Sequence, residues 1–190
     1  GGGNDALVMH DYASYFALTG DIEANRLNEV GWIYAMVLGY IYSFSFNSLF
    51  FGCLLSILAW LISALVILRL LDQLGFNNEV KFYAMLIFAL FPSSFFYTSI
   101  TLREPFQLLF LTLLLYSMVS LHLTNSVLHL LCIPIWAIAL ALLHKVLIAI
   151  SLGALAVFIV FSSLIGLKRR LIKVRFYLVL IIFISLIPIS

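Results

Sequence analysis

Between Leu49 and Leu71 the chain runs LFFGCLLSILAWLISALVILRLL, and Arg69 is the only charged side chain in it. About 20 apolar residues in a helix match the hydrocarbon thickness of a bilayer. Runs of this kind recur down the sequence, separated by short polar turns. They lack strict alternation, which favours helices over an outer-membrane barrel. The chain is 65% hydrophobic and 9% charged, with mean hydropathy +1.20. A soluble domain carries about a quarter charged residues, so a core of this chain's own cannot hide so much apolar surface. The expected class is all-α: a polytopic transmembrane helical bundle of an integral membrane protein.

Residues 1–48 read as an external loop. Its polar part contains Asp11, Asp21, Glu23, Arg26 and Glu29, with Tyr12, Tyr15 and Phe16 at helical spacing. This predicts a short amphipathic helix at an interface, broken at Gly20. Gly31 to Phe46 is apolar and aromatic but too short to span, and reads as an embedded or interfacial helix. Spans are expected at about 49–71, 81–101, 105–121, 126–143 and 146–167, with a truncated one at 176–190. Pro105 suits the first turn of its helix, where no N–H is needed. Pro134 inside the 126–143 span predicts a kink. Cys53 and Cys132 lie inside spans and read as small apolar residues. No signal peptide is visible, and the ends GGGND and LIPIS suggest a fragment lacking helices on both sides.

Lys168, Arg169, Arg170, Lys173 and Arg175 form one strong basic cluster. The positive-inside rule places it in the cytoplasm. Counting back, His144–Lys145 lies outside, His122 to Asn125 inside, Arg103–Glu104 outside, the Asp72 to Lys81 turn inside and Asp5 outside. Were 31–46 to span, Asp5 would leave that group. Three polar sets therefore reach one non-cytoplasmic face from separate connections: Asp5 with His10 and Asp11, Arg103 with Glu104, and His144 with Lys145. Carboxylates beside cations at a membrane surface suit a phosphorylated, lipid-linked substrate. One carboxylate can act as general base while cations stabilise a phosphate leaving group. The bland readings are a solvated loop acid for Asp5, a helix N-terminal acid for Glu104, and snorkelling for Arg103 and Lys145. No histidine–carboxylate spacing makes a metal site.

Four stretches, in order, carry a resemblance: GGGNDALVMHDYA, NEVGWIYAMVLGYIYSFSFNS, FALFPSSFFYTSITLREPFQLLFLTLLLY and LALLHKVLIAISLGALAVF. Together they resemble the GT-C superfamily of polytopic glycosyltransferases, which includes the protein O-mannosyltransferase-like family 39 enzymes. The resemblance implies a transferase that takes a sugar from a polyprenyl-phosphate donor to a glycan, lipid or protein acceptor on the outer face of a bacterial or archaeal plasma membrane. It implies that Asp5 is the catalytic acid residue of the first loop and Glu104 that of the second. Arg103, Lys145, His144, His10 and Asp11 would hold the lipid phosphate or sugar. Three positions depart from the family pattern: Ala6 stands where a second acid often follows, Pro105 follows the second-loop acid instead of preceding it, and His144 stands where Thr is common. A divalent metal ion is admitted by the family analogy alone. The expected surroundings are membrane lipids, with no nucleic-acid partner. Rival readings are a lipid or sugar transporter or flippase, a polysaccharide polymerase, and a structural membrane subunit.

Overall fold

A computed structural model describes residues 2–21, 32–90, 103–124, 126–143 and seven positions between 147 and 156; side chains are described from residue 6 onward. All regular structure among the described residues is helical. In order, the helices are α1 (Gly2–Thr19), α2 (Trp32–Phe44), α3 (Leu49–Gln73), α4 (Asn78–Leu90), α5 (Glu104–Thr124) and α6 (Val127–Leu143). α3 and α5, of 25 and 21 residues, are long and apolar enough to cross a membrane. The expected spans at 146–167 and 176–190, and the basic cluster at 168–175, lie largely or wholly outside the described residues.

Local chemistry sets the helix ends. Ser48 caps α3, its hydroxyl accepting the Phe51 N–H at 3.1 Å and so satisfying one of the donors a helix start leaves over. At the other end Gly75, at φ +76°, lets the chain turn back. The Phe76 N–H then reaches the Leu71 carbonyl and the Gly75 N–H the Asp72 carbonyl, closing a Schellman turn. α4 starts three residues earlier than the hydropathy suggests. Asn77 accepts the Val80 N–H at 2.9 Å, and Glu79 complements the positive end of the helix. Lys81 pairs with Asp72 across the turn. α5 runs three residues beyond its expected end, through His122 to Thr124, whose hydroxyl donates to the Ser120 carbonyl at 2.8 Å. Pro105 stands in its first turn, where the Phe106 and Gln107 N–H groups both reach the Arg103 carbonyl. α6 is helical on both sides of Pro134.

α3 and α5 are parallel, with α4 returning alongside α3 and α6 antiparallel to α5. Tyr34 touches Phe106 at the first turn of α5 and Tyr42 touches Phe51 at the first turn of α3. At the opposite ends of α3 and α5, Ser120 donates to Gln73 at 2.9 Å. Trp60 stacks on Phe88, tying α3 to α4, and Phe110 stacks on Trp136, tying α5 to α6.

On α3, Gly52, Ser56, Ala59 and Ser63 are buried. On α5 the buried set includes Thr112, Ser117 and Ser120. Small residues at this spacing let backbones approach closely, the usual basis of helix association where no hydrophobic force separates helix from lipid. Ser56 and Ser63 donate to the carbonyls of Gly52 and Ala59, one turn back, so these hydroxyls are satisfied within their own helix. Large apolar side chains point the other way: Phe50, Leu58 and Leu65 are more than half exposed, and no residue of α4 is buried. Only 28% of the most apolar window of α3 is covered by protein. A core helix of a water-soluble domain would be covered over most of its length, whereas an apolar, uncovered face suits lipid.

Candidate functional site

α2 has 13 residues, about 20 Å of helix, too short for the hydrocarbon layer. It lies against α1 and closes the end of the bundle where α3 and α5 begin and α6 finishes. Tyr34, Ala35, Leu38, Gly39 and Tyr42 are its buried residues. Ala13, Tyr34, Leu38, Tyr42 and Leu143 form one apolar cluster, joined by Phe51 and Phe106. Gly39 is where α1 and α2 meet most closely. A Cβ built there falls 2.5 Å from the Ala13 carbonyl oxygen and 2.9 Å from Phe16. The inward face of α1 is therefore made of the small residues Ala6 and Ala13, whereas Tyr15 of the aromatic set faces out at 43% exposure. Gly20, at φ +71°, ends α1.

Polar side chains gather under this pair of helices. His10 Nδ1 lies 3.2 Å from the Tyr42 hydroxyl, with the two rings edge to face. Burial pushes the Tyr42 phenol up to about 12, so it remains an O–H donor and can give its proton to an unprotonated Nδ1. Tyr34 is 4% exposed. Burial raises its phenol further still, with Tyr42 and the Glu104 carboxylate adding to the effect. Ser56, whose hydroxyl donates to the Gly52 carbonyl, lies beside the Tyr34 phenol and opposes that rise. Glu104 Oε2 is enclosed and has no hydrogen-bond partner among the described residues. Beside these groups, the Tyr34 ring, Leu38, Phe106, Phe110, Leu142 and Leu143 line an apolar cavity of about 180 Å³.

The sequence-predicted residues fall as follows. His10 is half-buried in the cluster, and Asp11 is exposed on α1. Arg103 and Glu104, both half-buried, open α5 beside Tyr34. Asp5 belongs to α1, about 7.5 Å along the axis before His10, and its side chain is outside the described residues. His144 and Lys145 are also outside them, though Leu143, the residue before them, belongs to the same cluster as Tyr34 and Tyr42. His10, Glu104 and the end of α6 thus meet around α2. Among the described residues no three His, Cys, Asp or Glu side chains gather in a way that could hold a metal ion.

Sequence reading passed over Tyr34, Tyr42 and Ser56. Aromatics in a short apolar helix carry no signal beyond interfacial packing, and a serine one turn inside a span looks like any small residue. The one available hint was spacing: Tyr34 and Tyr42 stand eight residues apart, which puts both on one face of a helix. No protein-family model, no curated protein and no solved structure matches the chain.

Proposed function

We propose that this chain belongs to a polytopic membrane glycosyltransferase of the GT-C kind. It moves a sugar from a polyprenyl-phosphate carrier to an acceptor hydroxyl at the non-cytoplasmic face of a bacterial or archaeal plasma membrane. The observation that carries the reading is the meeting of α1, the Arg103–Glu104 end of α5 and the end of α6 around α2. Two connections distant in sequence, carrying His10 with Asp11 and Arg103 with Glu104, reach one end of the bundle, and α6 finishes there at Leu143.

The chemistry follows from the residue types. Asp5 removes the proton of the acceptor hydroxyl. The acceptor oxygen bonds to the anomeric carbon as that carbon's bond to the phosphate oxygen breaks, and the electron pair leaves on polyprenyl phosphate. Arg103, with its planar fork, and Lys145 hold the departing phosphate. Glu104 orients the sugar or one of these cations, and His10, Asp11 and His144 complete the polar rim. The basic run 168–175 sits on the cytoplasmic side in this orientation.

A transporter would need polar atoms open to cargo in mid-span. The buried hydroxyls of Ser56, Ser63 and Thr112 instead turn back to carbonyls of their own helices. The test is transfer of labelled sugar from a polyprenyl-phosphate sugar in membranes carrying the full-length protein. Asp5→Asn should reduce transfer by about 100-fold or more, the usual worth of a general base. Undiminished transfer by that variant would remove Asp5 from the mechanism.

A further inference from the structure

α2 does not close fully onto α5 and α6. Between the three helices lies the cavity of about 180 Å³, walled by Val37 and Ile41 of α2, Phe106 and Phe110 of α5, and Ala139 and Leu142 of α6. Its wall is almost wholly carbon. An ordered water needs about two to four polar partners, which such a wall does not offer. An empty space would forfeit dispersion contacts for every side chain around it. Apolar cavities of this size instead take apolar guests.

The cavity is not sealed. Val37 and Leu142 belong to its wall and are about half exposed. From Val37 the exposed apolar surface continues along α2 through Tyr40 and Phe44, three and seven residues on and so on the same helical face. The position of the cavity along α5 says what meets that opening. Phe106 and Phe110 follow Glu104 by two and six residues, about 3 and 9 Å along the axis. The cavity therefore lies within the apolar length of a helix long enough to cross a membrane, below the charged pair. The surroundings at that depth are hydrocarbon tails. A helix, about 10 Å across with its side chains, is too thick to enter a space of this size. A single extended hydrocarbon chain is thin enough and meets the wall with carbon on every side.

We propose that this cavity seats one acyl chain of a membrane phospholipid, which enters past Val37 and Leu142 and completes the packing of α2 on α5 and α6. α2 carries both phenols of the polar cluster, so the bound chain supports the end of the bundle where His10 and Glu104 stand. The inference rests on the bundle lying in a bilayer and on nothing in the transfer chemistry.

The test uses the full-length protein, stripped of lipid in a steroid detergent that has no alkyl chain to fill the space. Dioleoyl-phosphatidylcholine is titrated back, with glycerophosphocholine, the same headgroup without chains, as the control. Native mass spectrometry counts bound lipid and thermal melting reads its effect. The parent should hold a phospholipid and melt higher as it is added, because a ligand of the folded state stabilises it; glycerophosphocholine should do nothing. Ala139→Phe fills the cavity from α6 and Ile41→Phe fills it from α2. Each should weaken lipid binding by about tenfold or more, the worth of two buried methylenes, and Ala139→Phe should melt at or above the parent when lipid is absent. Ile135→Phe, on the exposed side of α6, should bind like the parent.

A parent that neither holds the phospholipid nor gains stability from it overturns the proposal. Parental binding by both filling variants does so too, and would mean lipid adhering elsewhere on the bundle. Ala139→Phe melting below the parent without lipid, while the parent ignores phospholipid, would mean that protein already closes the space. A rise produced by undecaprenyl phosphate but not by phosphatidylcholine would give the cavity to a carrier chain instead and would equally end the proposal. Loss of sugar transfer in Asp5→Asn has no bearing on any of these results, so the two readings stand or fall apart.

Discussion

Gly39→Ala is the substitution for which the structure gives the firmest number. The added Cβ sits 2.5 Å from the Ala13 carbonyl oxygen and 2.9 Å and 3.1 Å from two atoms of Phe16. A side chain can swing away from a new methyl, but a helix carbonyl cannot. Ala13 is fully buried, so α1 has no slack on that side. Relief requires α1 and α2 to separate, and overpacking of this kind costs about 1–3 kcal/mol. Alanine's better helix propensity returns at most about 1 kcal/mol, which leaves a net loss of up to about 2 kcal/mol. Gly153→Ala is the matched control, since a Cβ there meets nothing within 4 Å, and it should be neutral or slightly stabilising. Two readouts apply to protein in nanodiscs: thermal unfolding and the rate of maleimide labelling at Cys53. Cys53 acts on the phenols of both Tyr34 and Tyr42 and so lies beneath the α1–α2 pair, while Cys132 in α6 serves as the internal reference. Gly39→Ala should melt lower than Gly153→Ala and label faster at Cys53 with Cys132 unchanged. If it melts with the control and Cys53 stays at its parental rate, the close approach of α1 and α2 is wrong, and the site built upon it fails too.

Other outcomes follow from the same geometry. Ser120→Ala removes the donor to Gln73 and should cost roughly 0.6–1.7 kcal/mol, the range for side-chain hydrogen bonds between membrane helices; a steric-trap or denaturant measurement in detergent reads it, and no loss would make the contact incidental. The Tyr42 phenol is held at about 12 against about 10 for a free tyrosine. The unfolded chain therefore sheds this proton first. The contribution is intact below pH ~10 and is lost as pH climbs toward about 12. Alkaline melting curves of the parent and Tyr42→Phe should diverge in that window, with the variant declining less; superimposable curves would count against burial of this hydroxyl.

The apolar runs announce the long helices because bilayer thickness and helix rise leave little choice of length. The start of α4 was obscured because hydropathy ignores Asn77, Asn78 and Glu79, polar residues that begin the helix by capping it. His122 to Thr124 looked like a turn by composition, but the Thr124 hydroxyl bonds one turn back and keeps those residues helical. In the site, Glu104 stood out as a charge between apolar runs, and His10 as polarity in a loop. Tyr34 could not stand out. Its importance comes from Ser56 on α3 and from Phe106 and Glu104 on α5, which the fold brings to it. Periodicity places a residue on a face but does not say whether its last atom finds a partner there.

Tyr34 and Tyr42 share one short helix, eight residues apart, about 12 Å along its axis. One phenol is coupled to His10 on α1 and the other stands over the mouth of α5. With Gly39 between them pressed to the α1 backbone, both phenols are placed by the same close contact of α2 with α1.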